Sequence, residues 1–302
     1  MKQKLIVYSL FAALFVFTAT VAILRVLIPA LKSRKLGQKI YDIGPRWHMS
    51  KEGTPIMGGV AFMIPTTAML LVLGLLTLMK GRLVDAEAVL VTGFMALLNG
   101  LVGFADDYTK LIKKQNKGLS AWQKLIFQFA IAIVYVAAMR LLGFMSTSLY
   151  LPFIGKSVRI GFAYYVLSVI LIVGVVNSVN LTDGIDGLAS SVCGVYGLFF
   201  CFAGVSLGDI SIVTASASMV GGTAGFLVYN FHPAKIFMGD TGSLYLGGLV
   251  AGLPFVIRNP LIVFIVGIVF ILEALSVILQ VGYFKITHGK RIFKMAPIHH
   301  HF

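Results

Sequence analysis

Residues 5–31 read LIVYSLFAALFVFTATVAILRVLIPAL, twenty-seven positions that include a single charged residue, Arg25. A transmembrane helix needs about 20 consecutive apolar residues, so this run predicts a membrane span. The Met-Lys-Gln-Lys that precedes it resembles the start of a signal peptide, but the run is too long and no small-residue cleavage site follows. We therefore expect the segment to remain as a membrane anchor.

Similar apolar runs recur along the rest of the chain and predict an all-α polytopic membrane protein with one integral-membrane domain over residues 1–302. The loops between the runs are short, so any functional site must be built from helix ends and short loops. The nine predicted spans cover residues 5–31, 55–79, 88–105, 122–142, 161–179, 188–207, 212–231, 243–257 and 261–282.

The composition agrees with a bilayer as the solvent. The 302 residues are 58% hydrophobic and only 12% charged, with a mean hydropathy of +0.94, whereas soluble domains carry about 25% charged residues. Disorder, a coiled coil and an ordinary soluble enzyme are thereby excluded. The net charge of +14 fits basic cytoplasmic loops, so no nucleic-acid partner is needed to explain it. Cys193 and Cys201 share one predicted helix, too far apart for a disulfide within it.

The distribution of Lys and Arg predicts the orientation. Fifteen of the 25 basic residues fall in the alternate loops 32–54, 106–121, 180–187 and 232–242 and the tail 283–302, seven fall in the other loops, and Arg25, Lys124 and Arg140 lie within spans. The positive-inside rule places the richer set in the cytoplasm and the N-terminus outside.

Acidic residues and histidines collect on the same predicted face. It carries all six histidines and seven of the eleven acids, although longer and more polar inner loops are a simpler explanation. We expect one polar site there. The acids are Asp42, Glu52, Asp106, Asp107, Asp183, Asp186 and Asp240, and the histidines are His48, His232, His288, His299, His300 and His301.

Three motifs on this face are suited to phosphate chemistry. Asp106-Asp107 ends the third span and is followed by Lys110, Lys113, Lys114 and Lys117; carboxylates beside lysines suit a metal-bound phosphate, although ordinary ion pairs at a helix end explain them too. Asn177, Asn180, Asp183 and Asp186 recur every third residue beside glycines, which is more polar groups than one helix cap needs.

The segment 237–243, FMGDTGS, opens the eighth span. Free backbone N–H groups at a helix start attract an anion, and Asp240 would then require a bridging cation such as Mg²⁺.

Two weaker features complete the set. The chain ends in MAPIHHHF, whose consecutive histidines could contact phosphates, and the loop around Lys51 and Thr54 is basic and rich in turn residues. In the ninth span Glu273, Ser276 and Gln280 share one helix face. Because a carboxylate facing lipid is costly, we expect this face to turn toward the bundle interior or a polar groove.

Four segments together resemble one known family. They are DDY at 106–108, NLTDGIDGLA at 180–189, MGDTGSL at 238–244 and APIHHHF at 296–302. In this order they are similar to the phospho-N-acetylmuramoyl-pentapeptide-transferases, a branch of the polyprenyl-phosphate N-acetylhexosamine-1-phosphate transferase superfamily. The family normally has ten spans and continues past the triple histidine, whereas this chain ends at Phe302.

The resemblance implies transfer of phospho-MurNAc-pentapeptide from UDP-MurNAc-pentapeptide to undecaprenyl phosphate in a bacterial plasma membrane, with Mg²⁺ required and a homodimer expected. It implies that Asp240 is the main Mg²⁺ ligand, supported by Asp107, and that Asp106 activates the lipid phosphate. Nucleotide-sugar contacts are implied for Asn180, Asp183 and Asp186. The remaining implied residues are Lys51, Thr54, Lys110, Lys114, Asn177 and Asn230 in the cleft lining and His299, His300 and His301 in an active-site loop.

Alternatives remain at this point. A UDP-GlcNAc transferase of the same superfamily is the close rival. An intramembrane aspartyl protease would need a Gly two positions before Gly239, where Phe237 stands. A Mg²⁺ transporter would distribute carboxylates through the depth of the bilayer, where only Glu273 is predicted.

Overall fold

The computed structural model describes residues 2–33, 53–81, 83–113, 118–152 and 154–301. The α-helices and strands in these ranges are α1 Lys2–Ser33, α2 Val60–Met79, α3 Glu87–Lys113, α4 Ala121–Leu141, β1 Ser148–Leu151, β2 Lys156–Arg159, α5 Ala163–Thr182, α6 Leu188–Leu207, α7 Ile210–Asn230, α8 Gly239–Val256, α9 Val263–Val266 and α10 Ile268–Ile286.

Eight of these helices, α1 to α7 and α10, are long and apolar enough to cross a membrane. Large apolar side chains such as Val7, Leu71 and Phe202 are exposed on their outer faces. In water such a surface would favour aggregation, whereas in a bilayer it contacts lipid. The prediction of an all-α, multi-pass membrane protein is confirmed.

Helix α8 occupies the position of the eighth predicted span but is unlike its neighbours. Every residue from Thr241 to Val256 is buried, and the helix packs most extensively against α3 and then α5. Small residues permit the close approach, since a Cβ on Gly248 would overlap Ala96 and one on Gly247 would press on the backbone of Val176. Its 18 residues extend about 27 Å, close to the thickness of the bilayer core.

The last predicted span, 261–282, is displaced in the structure. A short 3₁₀ turn at Pro260–Ile262 and the four-residue α9 come first, and the long helix α10 starts only after Gly267. Pro260 and Gly267 each favour a helix boundary, which accounts for the shift.

A small β-hairpin was not predicted. Strands β1 and β2 pair antiparallel, with Ser148 opposite Arg159 and Leu151 opposite Lys156. Each strand has only four residues, too few for alternation of polarity to be recognised in the sequence.

Four of the segments that were predicted to share one membrane face meet at one end of the bundle in the described part of the chain. The end of α3 contacts the starts of α4 and α8, and the turn after α5 contacts the C-terminal segment, through pairs such as Asp106–Lys124, Asp107–Thr241 and Gly184–His299.

Candidate active site

Three aspartates form the centre of this end of the bundle. Asp106 and Asp107 lie on α3, and Asp240 lies in the first turn of α8. One carboxylate oxygen from each lies within 4.8 Å of the others. Asp106 and Asp107 are almost fully buried, whereas 19% of the Asp240 side chain is exposed. Asp240 is therefore the member most open to a ligand.

Asp107 caps helix α8 from a neighbouring helix. Its Oδ1 accepts a hydrogen bond from the backbone N–H of Asp240 at 3.2 Å, and its Oδ2 accepts from the N–H and the hydroxyl of Thr241 at 2.9 and 2.7 Å. The first N–H groups of a helix have no partner within it, and the positive end of its dipole favours a carboxylate. Gly239, with φ of +71°, allows this approach, because a Cβ there would overlap Oδ2 of Asp107.

Two ammonium groups neutralise most of the charge of the aspartates. Lys110, one turn after Asp106 on α3, lies 3.8 Å from Asp107 Oδ1 and 3.5 Å from Asp240 Oδ2 and also pairs with Asp106. Lys124 lies 3.0 Å from Asp106 Oδ2 and pairs with Asp240. With three carboxylates and two ammonium groups, the cluster carries a net charge of −1 when all five groups are ionised.

The sequence motifs did not identify Lys124 as a site residue. A capping box between Ser120 and Gln123 starts α4 and places Lys124 on its first turn, facing α3. The residue just before the cap, Leu119, donates its N–H to Asp106 Oδ1 at 2.7 Å. The sequence did contain one indication of its role. Lys124 lies inside a predicted apolar span, where a cation is costly and is therefore usually functional.

Asn180 connects the second motif to the cluster. Its Nδ2 donates to Asp240 Oδ1 at 3.1 Å and to the Ser243 hydroxyl at 2.7 Å. Asn177, one turn earlier on α5, donates instead to Gln128 Oε1 at 2.7 Å and to the carbonyl of Val173. Asn180 therefore fixes the Asp240 carboxylate from one side, and Ser243 and Gln128 are polar partners that the motifs did not reveal.

The turn between α5 and α6 is held by two further predicted residues. Asp186 Oδ2 accepts from the N–H of Ala234 at 3.1 Å and lies 3.0 Å from Nδ1 of His232. Asn230, 2% exposed, accepts from the N–H of Gly187 and donates to the carbonyl of Ile236. Both hold the loops at this end of the bundle in place, and their predicted contact with a nucleotide sugar stays a prediction.

Asp183 at the end of α5 lies near the same negative charges. Burial, together with the carboxylates of Asp240, Asp107 and Asp186, raises the pKa of Asp183 well above its usual value. No lysine compensates it among the described residues that influence its ionisation. Negative charge therefore predominates around Asp183.

The C-terminal histidines return to the bundle alongside α10. His299 Nδ1 lies 2.9 Å from Glu273 Oε2, and the rings of His299 and His300 lie 4.2 Å apart. His301 Nδ1 accepts from the N–H of Lys294. Glu273 and Ser276 are buried, which confirms that this face of α10 turns inward.

The segment that leads into α2 reaches the cluster through residues 55–59. Phe237 donates its N–H to the carbonyl of Pro55, and Gly59 donates to Met238, so Thr54 lies beside the entry to α8. Lys51 and Lys114, together with Asp42, His48, Glu52 and Lys117, lie outside the described residues.

Known proteins were compared with the chain. The family model for glycosyl transferase family 4 matches residues 89–258. A phospho-N-acetylmuramoyl-pentapeptide-transferase of Caldanaerobacter subterraneus subsp. tengcongensis is 44% identical over 302 residues, 100% of this chain and 90% of the relative. Relatives of the same name from Heliobacterium modesticaldum and Staphylococcus aureus are 44% and 42% identical, over 91% and 96% of this chain and 83% and 89% of their own.

The chain belongs to the phospho-N-acetylmuramoyl-pentapeptide-transferase family. The family-model match spans the three Asp motifs, and the match to the Caldanaerobacter relative spans the whole chain, including the histidine segment.

The aspartate cluster can hold a metal ion. Hard divalent cations prefer carboxylate oxygens, and three converge here. The two oxygens of Asp107 already accept bonds from α8, whereas Asp240 retains exposure. The donor set thus fits an oxygen-seeking cation, with Asp240 as the most accessible ligand. Asp106, Asp107 and Asp240 converge at one end of the bundle, and Glu273 is the one acid within the described part of the long helix α10, which does not favour a transporter with acids spread through the bilayer.

Proposed function

We propose that the chain transfers phospho-MurNAc-pentapeptide from UDP-MurNAc-pentapeptide to undecaprenyl phosphate, which releases UMP and forms lipid I. The observation that carries the proposal is the buried cluster of Asp106, Asp107 and Asp240 with Lys110 and Lys124, at one end of a membrane bundle of this family. Exchange of one phosphate partner for another depends mainly on positioning and charge neutralisation. A cluster of carboxylates and ammoniums provides both.

Asp106 is the group that activates the lipid phosphate. Its carboxylate is fully buried, Oδ1 accepts from Leu119, and Oδ2 pairs with Lys110 and Lys124. A carboxylate enclosed in this way has little room for a covalent phospho-sugar, so we propose direct attack of the lipid phosphate on the pyrophosphate. Recovery of a labelled phospho-sugar on Asp106, absent in Asp106→Asn, would overturn direct attack.

Asp240 and Asp107 are the proposed Mg²⁺ ligands. Mg²⁺ would neutralise pyrophosphate oxygens when bound. Lys110 and Lys124 lie close enough to Asp240 to contact the same phosphates and stabilise negative charge in the transition state. Asn180, Asp183 and Asp186 are proposed nucleotide-sugar contacts, with Thr54, Asn177, Asn230, His300 and His301 near the same cleft.

The membrane placement follows from the charge distribution. The sequence segments that carry the site motifs belong to the set of loops with the excess of Lys and Arg. We place it at the cytoplasmic face of a bacterial plasma membrane, where a water-soluble nucleotide sugar and the phosphate of a membrane lipid can meet. A homodimer remains part of the proposal.

The test is Mg²⁺-dependent UMP release with undecaprenyl phosphate, with UDP-MurNAc-pentapeptide compared to UDP-GlcNAc. We expect release with the muramoyl donor alone. Release with UDP-GlcNAc alone would assign the rival activity, and release with neither would refute the transferase proposal. Asp240→Asn should abolish release, whereas the matched control Asp85→Asn, exposed between α2 and α3, should retain it.

A further inference from the structure

The imidazole of His299 has one bonded nitrogen and one free nitrogen, both buried. Nδ1 lies 2.9 Å from Glu273 Oε2, and only 4% of either side chain is exposed. The backbone N–H of His299 also approaches the same oxygen at 3.5 Å. Nε2 is buried and has no hydrogen-bond partner among the described residues. A buried nitrogen without a partner is costly, which indicates a ligand at that position.

The free nitrogen faces the turn between α5 and α6. A Cβ on Gly184 would overlap Nε2 of His299. Gly184 lies between Asp183 and Asp186, the residues proposed to contact the nucleotide sugar, so Nε2 borders that part of the cleft. Only a residue without a side chain leaves the ring room at this point.

We propose that Glu273 is a positioning residue for the transfer reaction and acts through His299. The carboxylate accepts a hydrogen bond from Nδ1–H and fixes the ring orientation, so that Nε2 remains an acceptor for an N–H or O–H group of the nucleotide sugar. Hydrogen bonding at one ring nitrogen selects the tautomer at the other. The inference rests on the proposed function and gives a role to the one acid of α10.

A purely structural role for Glu273 has a counterpart on the same helix. The side chain of Gln280 holds the backbone of the C-terminal segment. Its Oε1 accepts hydrogen bonds from the N–H groups of Ile292 and Phe293 at 3.1 and 2.9 Å. Gln280→Leu therefore loosens the segment while sparing the Glu273–His299 pair, and it is the matched control.

The experiment combines ¹⁵N NMR of labelled histidines with kinetics of the full chain. The His299 signal is assigned from its loss in His299→Ala. We expect a neutral ring with the proton on Nδ1 in the wild type and in Gln280→Leu, and a mixture of tautomers in Glu273→Leu. Glu273→Leu should lower kcat/KM for UMP release by about 10- to 100-fold. Glu273→Gln should restore most of it, because an amide oxygen also accepts from Nδ1.

A double-mutant cycle completes the test. In a His299→Ala background, Glu273→Leu should cause no further loss, since the acid acts only through the ring. Independent losses, equal losses in Gln280→Leu and Glu273→Leu, or a ring protonated on both nitrogens would each overturn the inference. If the wild type releases no UMP, the proposed function fails, while the NMR measurement still decides the ring assignment.

Discussion

Asp107 on α3 accepts two hydrogen bonds from Thr241 on α8, one from the backbone N–H at 2.9 Å and one from the hydroxyl at 2.7 Å. The contact makes one carboxylate both the cap of a buried helix and a member of the aspartate cluster. The position of Asp240, the next residue before Thr241, thus depends on a residue far away in the sequence.

The substitution Thr241→Val tests this cap. It removes the hydroxyl donor to a buried carboxylate and should lower the free energy of unfolding by about 1–2 kcal/mol. Thr223→Val is the control, because the equally buried Thr223 bonds only to carbonyls of its own helix. Thermal unfolding in detergent measures both variants. Equal losses of stability in the two variants would show that the hydrogen bond to Asp107 contributes no more than a bond within one helix.

Lys124→Met should have opposite effects on metal binding and on turnover. Loss of an ammonium beside Asp106 and Asp240 makes the cluster more negative, so Mn²⁺ should bind more tightly by electron paramagnetic resonance. UMP release should fall about 100-fold or more, since a cation near the transferred phosphate is lost. Lys80→Met, on an exposed residue after α2, should change neither quantity. Weaker Mn²⁺ binding in Lys124→Met would contradict the charge argument.

Asp183→Asn should change how stability depends on pH. The pKa of Asp183 is raised from its usual 3.8. The folded protein therefore gains stability from the protonated acid below that value, and the gain disappears as pH rises through the raised pKa. The asparagine variant does not titrate there, so in metal-free buffer its thermal midpoint should exceed that of the wild type increasingly as the pH rises from about 4 toward neutrality. A difference that shrinks over this range would reverse the sign.

Gly184→Ala should displace the His299 ring, because the new Cβ would overlap Nε2. We expect UMP release to fall by about 10-fold or more, with a smaller effect on thermal stability. Gly174→Ala on α5, the helix before this turn, is the matched control, because a Cβ on Gly174 meets nothing within 4 Å. It should be neutral or slightly stabilising. Full activity in Gly184→Ala would contradict the close packing of His299 on this turn.

The sequence was sufficient to predict the helical membrane fold and the three Asp motifs, because hydropathy and motif spacing are local signals. The cap of α8 by Asp107 and the ion pairs of Lys124 could not be predicted, since both join residues more than 15 positions apart through packing. The same holds for Glu273. Its helix face was predicted to turn inward, but its partner His299 is 26 residues away and arrives only because the chain folds back.

The burial of α8 has a consequence for topology assignment. Surrounded by protein, this helix needs no continuous apolar surface, and it is absent from the eight helices that meet a hydropathy criterion in the described ranges. A count of eight crossings would assign the segments before and after α8 to the same compartment, and so separate His299 from Asp106. Reporter fusions placed after α10 should instead give the same compartment as fusions between α3 and α4.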